Sequence, residues 1–119
     1  MSEQDCIFCK IVRGDIPSSK VYEDDEILAF HDINPAAPVH FMIIPKKHIP
    51  SLSDAQEEDQ GVLGRIMVMT GQLARAQGST SGFRTIVNTG SVGRQDVYHL
   101  HVHILGGEKP LPGMIQKSK

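Results

Sequence analysis

No apolar run in the chain approaches the roughly 20 residues that span a bilayer, which excludes a transmembrane helix. Basic residues do not outnumber acidic ones. The 12 Lys and Arg against 14 Asp and Glu give a formal net charge of −2, which argues against a nucleic-acid-binding face. The start, Met1-Ser2-Glu3-Gln4-Asp5, lacks the basic opening of a secretory signal, so a cytoplasmic protein is expected. Cysteine is scarce. Its two copies stand as Cys6-x-x-Cys9, and in a reducing compartment that spacing points to a metal or redox pair rather than a structural disulfide. There is no internal repeat and no low-complexity segment. At 119 residues, with 39% hydrophobic and 22% charged, the composition is that of one globular domain over residues 1–119, able to bury a core.

What is present is a run of short periodic segments. Ile7, Phe8, Ile11 and Val12 have helical spacing, and Gly14 and Pro17 end that turn or two. Residues 20–23 and 26–31 read as two strands joined at Asp24-Asp25, and 40–44 as a third, closed by Pro45. Between them lies a proline-punctuated loop, residues 32–38. Ser53 and Gln56 match a capping box ahead of a helix whose apolar stripe, Val62, Leu63, Ile66, Met69, Leu73 and Ala74, runs to about Ala76. Gly61, Gly64 and Gly71 weaken it unless they allow close packing on a sheet. Residues 83–88 form a fourth strand, 89–96 a glycine-containing loop, and Gly106-Gly107 close a fifth strand. The core is therefore expected over about 6–107, with an extended tail over 108–119. The pattern predicts an α+β fold: a five-stranded antiparallel meander with one long helix on one face and a short N-terminal helix.

The fifth strand is the stretch around which the rest is organised. His99-Leu100-His101-Val102-His103-Ile104-Leu105 alternates three imidazoles with apolar residues. On a strand the three histidines share one face, neighbours about 6–7 Å apart and the outer pair about 13 Å apart, so they cannot all do one job. Taken alone, the row fits a central histidine acting on a substrate, a zinc site, or the wet face of an edge strand.

The surrounding residues resemble one family. His99–Leu105 preceded by Gln95-Asp96-Val97-Tyr98 looks like the histidine-triad signature. Further matches are Phe30-His31-Asp32-Ile33-x-Pro-x-Ala-Pro-Val-His40-Phe41, Ile44-Pro45-Lys46-Lys47-His48-Ile49, Val87-Asn88 and Gly106-Gly107. The similarity covers about residues 6–113, and in detail resembles the histidine triad nucleotide-binding (Hint) branch, the purine nucleoside phosphoramidases. The Fhit-like dinucleoside polyphosphate hydrolases are less similar around His31-Asp32 and after the triad.

That resemblance implies a HIT-like fold and hydrolysis at the α-phosphorus of a purine nucleotide, AMP- or GMP-type, through a nucleotidyl-histidine. It makes His101 the nucleophile, places His103 on the phosphate or leaving group, and puts His99 and His40 in a polar chain behind His101. Asn88 and the main chain of Arg94, Gln95 and Asp96 would face the phosphate. Asp32 would accept from the ribose, with Ile7, Phe8, Ile11, Phe30, His31 and Ile33 around the base. Family members often carry a small residue where Arg94 stands and a serine where Asp96 stands; backbone donation survives both departures, but a hydroxyl donor is lost at Asp96. The chemistry needs no cofactor. Related proteins with the cysteine pair bind zinc, which here implies a structural site of Cys6, Cys9, His48 and His99, in competition with any proton-shuttling role for His99. The resemblance also implies a homodimer. An alternative is a non-catalytic AMP-sensing protein built on the same pocket.

Overall fold

The computed structural model describes residues 5–115. Two α-helices, α1 (Ile7–Arg13) and α2 (Gln60–Ala76), flank one sheet of five strands. In chain order these are β1 (Lys20–Glu23), β2 (Ile27–His31), β3 (Val39–Pro45), β4 (Arg84–Ile86) and β5 (Val102–Gly106). Every pairing is antiparallel, but the order is β1-β2-β3-β5-β4, so the expected meander is corrected: β5 inserts between β3 and β4. The long α2 connection makes this possible, carrying the chain past one position before β4. β5 is thereby paired on both sides.

Both faces of the sheet are covered, which explains why β2 and β3 read as continuous apolar runs rather than alternating ones. On one face Ile27, Ala29, Phe41, Ile43, Val102 and Ile104 pack against Ile66, Met69, Leu73 and Ala74 of α2. On the other, Leu28, Phe30, Met42 and Ile44 pack against Cys6, Phe8 and Cys9 around α1. We call these the helix face and the site face. α1 starts where the Cys6 thiol accepts the Cys9 N–H at 3.2 Å, and ends at Gly14, whose φ of 84° is the left-handed conformation that a side chain disfavours.

Two sequence expectations about α2 need correction. The helix begins only at Gln60, because residues 51–59 form two short 3-10 turns, Leu52–Asp54 and Glu57–Asp59. Ser51 caps the first, and the capping box that leads into α2 is Gln56 with Asp59. Gly61 and Gly64 face open space, so neither serves close packing on the sheet. Among the described residues no helix is long and apolar enough to cross a membrane.

Candidate active site

His99 and His101 precede β5 rather than lying in it; only His103 has ladder partners, opposite Met42 of β3 and Ile86 of β4. The backbone there is bent because the His99 and Leu100 groups bond elsewhere: Leu100 N–H donates to Ile49 C=O at 2.7 Å. The alternation nonetheless persists, with Leu100, Val102 and Ile104 in the helix-face core.

The hydrogen bonds fix where each proton sits. His101 Nδ1 lies 2.8 Å from the His99 carbonyl, which can only accept, so Nδ1–H donates. In the neutral ring the lone pair is then on Nε2. The ring is buried and braced by Phe8, edge-on at 5.1 Å between centroids, and by His103 at 5.0 Å. In a second arm, the Ala36 N–H donates to His40 Nδ1 at 2.9 Å. A proton on His40 therefore sits at Nε2, which faces His103 Nδ1 at 3.0 Å and donates to it. His103 in turn presents Nε2–H as a donor. Burial, then the neighbouring His101 and His40 rings, push the His103 pKa down, so it is uncharged at neutral pH. Asp32 Oδ2 stands 3.4 Å from His40 Nε2, and Asp32 Oδ1 accepts the Asn34 N–H at 2.8 Å.

His99 faces the other way. Its Nε2–H donates to the Pro45 carbonyl at 2.8 Å, leaving Nδ1 as a lone pair aimed at Cys6 Sγ (3.3 Å) and Cys9 Sγ (3.4 Å). Cys9 Sγ is also 3.1 Å from His48 Nδ1, and all four ligand atoms lie within 4.8 Å of one another. Tetrahedral zinc bonded at its usual lengths would set S···N separations near 3.6 Å, a little above those present, and two thiolates with two imidazoles are a zinc donor set. The carbonyl on His99 Nε2 is the outer partner that such a ligand needs. The residues fit the metal. Burial pushes the His99 pKa down to about 4, which keeps its lone pair available at neutral pH. The cluster Asp32, His40 and His103 is also compact. There the Ala36 N–H takes the His40 Nδ1 lone pair and so puts a proton on the would-be ligand atom, which suits a hydrogen-bond relay and opposes a metal.

Residues 5–119 match the family described as "Scavenger mRNA decapping enzyme C-term binding". The protein HitA of Neisseria gonorrhoeae is 52% identical over 101 residues, 85% of this chain and 94% of that one. The chain belongs to the histidine triad (HIT) family. A HIT-like protein of Synechococcus elongatus is 51% identical over 90% of this chain and 93% of its own. Among solved structures, a histidine triad protein from Clostridium difficile superposes with TM-score 0.89 at 50% identity, covering 97% of this chain and 100% of that one. A HIT family hydrolase from Legionella pneumophila superposes with TM-score 0.84 at 48% identity, covering 88% and 95%. The α+β HIT fold expected from the sequence is the one found.

Within this HIT fold, the site residues named from sequence divide sharply. His101, His103, His40 and Asp32 are gathered on the site face as described. The polar chain expected behind His101 is corrected: His40 bonds to His103, and His99 reaches His101 through its carbonyl alone. Phe8, Phe30 and Ile11 join the site-face core. His31 pairs with Phe41 in the register and falls on the helix face, opposite Phe30, because side chains alternate along β2. Ile7 is turned outward and Ile33 is 92% exposed, so neither forms a preformed wall. Asn88 is half-buried, two residues beyond the end of β4, whose last residue Ile86 pairs with His103.

The loop before the triad is largely closed on itself. Arg94 N–H donates to Ser91 C=O and Gln95 N–H to Gly90 C=O, at 3.1 and 3.0 Å, so neither amide is available to a phosphate. Gln95 is a buried strut whose side-chain amide donates to Pro50 and Val97 carbonyls and accepts from Gly90 N–H. Arg94 is exposed with φ 62°. Of the three main-chain donors expected there, the Asp96 N–H alone has no acceptor among the described residues. Sequence reasoning missed Pro45 C=O, His99 C=O and Ala36 N–H, the groups that set the tautomers; backbone groups leave no sequence signature. Cavities of about 420 and 570 Å³ flank the tail beside Gly107, and the triad lines neither.

Proposed function

We propose that this HIT protein is a nucleotide hydrolase that cleaves the P–N bond of purine nucleoside phosphoramidates, with His101 as nucleophile. One observation carries the reading: the His101 Nδ1–H donates to the His99 carbonyl, so the Nε2 lone pair is left for attack on phosphorus. A neutral imidazole nitrogen with its lone pair exposed to the substrate is a competent nucleophile. His103 Nε2–H, the free Asp96 N–H and Asn88 supply donors for the phosphoryl oxygens as charge builds. The bond from Nε2 to phosphorus forms as the bond to the amine breaks, the departing nitrogen taking the proton of His103 Nε2–H; water then attacks phosphorus, breaks the bond to Nε2, and returns a proton to His103. Net, one water is split, its hydroxyl ending on phosphorus and its remaining proton on the amine.

Cys6, Cys9, His48 and His99 would hold a structural zinc ion, which when bound supplies a crosslink between α1 and the triad segment. His99 acts in catalysis through its carbonyl. Asp32 would exchange its contact with His40 for a ribose hydroxyl, and Phe8 and Phe30 would bound the base. The homodimer would use the free edge of β4 beside half-exposed Phe83.

The test is release of AMP from an AMP phosphoramidate by wild type, His101→Ala and His103→Ala, with a dinucleoside polyphosphate run in parallel. Loss of at least about 10³-fold in His101→Ala and preference for the phosphoramidate support the reading. Faster cleavage of the dinucleotide would place the chain with the Fhit-like activity, and AMP binding without any turnover with the sensing role.

A further inference from the structure

The atom proposed to attack phosphorus, His101 Nε2, has a carboxylate for a neighbour. Asp96 Oδ1 lies 3.5 Å away, and the two side chains differ completely in setting: His101 is 2% exposed and Asp96 82%. The nucleophile is at the bottom of the site and the carboxylate at its mouth. Asp96 is held there, since the same Oδ1 accepts the Val97 N–H at 2.9 Å, while Oδ2 stays available. Its own N–H is the loop donor left for a phosphoryl oxygen, so a substrate that uses that amide is drawn up beside the carboxylate. No ion pair joins Arg94 to Asp96 among the described residues, so the negative charge is not neutralised within the loop.

A phosphoryl anion arriving at His101 meets this carboxylate at close range, and two like charges oppose binding. The penalty is offset when the substrate brings a positive charge of its own. The 5′-nucleoside side offers none, because a ribose and a purine are uncharged at pH 7. The leaving side can offer one.

We propose that Asp96 selects substrates by the charge of the leaving group, favouring nucleoside phosphoramidates whose leaving amine carries a second, protonated amine, as in a linear diamine. This inference rests on the phosphoramidase reading. With the ammonium about 6–8 Å from the carboxylate in a largely aqueous mouth, the preference over a neutral analogue is about three- to tenfold in kcat/KM. The position of Asp96 at the mouth also makes the preference sensitive to salt.

The test uses two AMP phosphoramidates that differ in one charge: one built on 1,4-diaminobutane with its far amine free, the other with that amine acetylated. Wild type is expected to favour the charged substrate about three- to tenfold at low ionic strength, and less at about 0.5 M salt. Asp96→Asn, which keeps the Val97 bond, is expected to bring the ratio close to one, and Asp96→Lys to invert it. A wild-type ratio near one, or a ratio unchanged in Asp96→Asn, would overturn the role of Asp96 while leaving the phosphoramidase reading intact. No turnover of either substrate by wild type would remove that reading, and the inference with it.

Discussion

Replacing Phe8 with alanine removes the ring that ties α1 to His101. Phe8 is buried to 7% exposure, edge-on to His101 at 5.1 Å, to Phe30 at 5.6 Å and to His99 at 6.0 Å. A buried Phe→Ala change costs about 3–5 kcal/mol, and the low end applies here because the site-face core is small and a seven-residue helix can settle into the gap. Unfolding entropy near 2.1 cal/mol/K per residue over 119 residues makes each kcal/mol worth about 4 °C. Phe8→Ala should therefore melt about 12 °C below wild type by calorimetry. Phe8→Leu keeps most of the volume, costs about 1–1.5 kcal/mol and should melt about 4–6 °C lower. Both lose the edge contact on His101, so AMP release at 25 °C should fall about tenfold in each, an effect separate from stability. A Phe8→Ala melting point within about 3 °C of wild type would mean that α1 is not docked as described. Full activity in Phe8→Leu would mean that Phe8 does not orient His101.

His40→Ala removes the donor to His103 Nδ1, so the His103 proton is no longer held at Nε2; kcat should fall about 10–100-fold with KM little changed, measured by steady-state kinetics. Zinc content by elemental analysis should approach one ion per chain and be lost in Cys6→Ala. Chelation should lower the melting point by about 11 °C if free zinc had stood at a hundred times its Kd. Burial raises the Asp24 pKa, but the Glu26 and Ile27 N–H groups, Arg65 and Tyr22 more than offset it and hold Asp24 well below the ordinary carboxylate range. A depressed folded pKa gives stability that is present above the unfolded value of 3.8 and lost as pH falls through the folded one. Wild type should thus lose stability steeply below about pH 4, and Asp24→Asn should flatten that acid limb in denaturant titrations.

Much of the fold was legible because the periodicities were clean. β1, β2 and β3 lie within a residue or so of where alternation and proline placed them, and the α2 stripe at Ile66, Met69, Leu73 and Ala74 is the buried one. The strand order was not legible, since nothing in β4 or β5 alone says which lies at the edge; the reach of the α2 connection decides it. The start of α2 was misread because a serine before a glutamine is a weak signal when 3-10 turns intervene. At the site, side-chain identities carried the triad and the thiol cluster. The roles within them depend on carbonyls and amides of Pro45, His99 and Ala36, which only the folded backbone brings into range. Gln95 shows the limit from the other side: its place in the motif suggested the phosphate, and its contacts make it part of the loop's frame.

In the proposed reaction His101 Nε2 forms a bond to phosphorus. The direct measurement is to mix wild-type protein with an AMP phosphoramidate, quench within the first turnover, and map adducts by mass spectrometry of peptides under alkaline conditions that preserve phosphoryl-histidine. A nucleotidyl mass on the peptide holding His99–His103, localised to His101 and absent from His101→Ala, is the expected result. Turnover by wild type with the adduct on another residue, or undiminished turnover by His101→Ala, would contradict it.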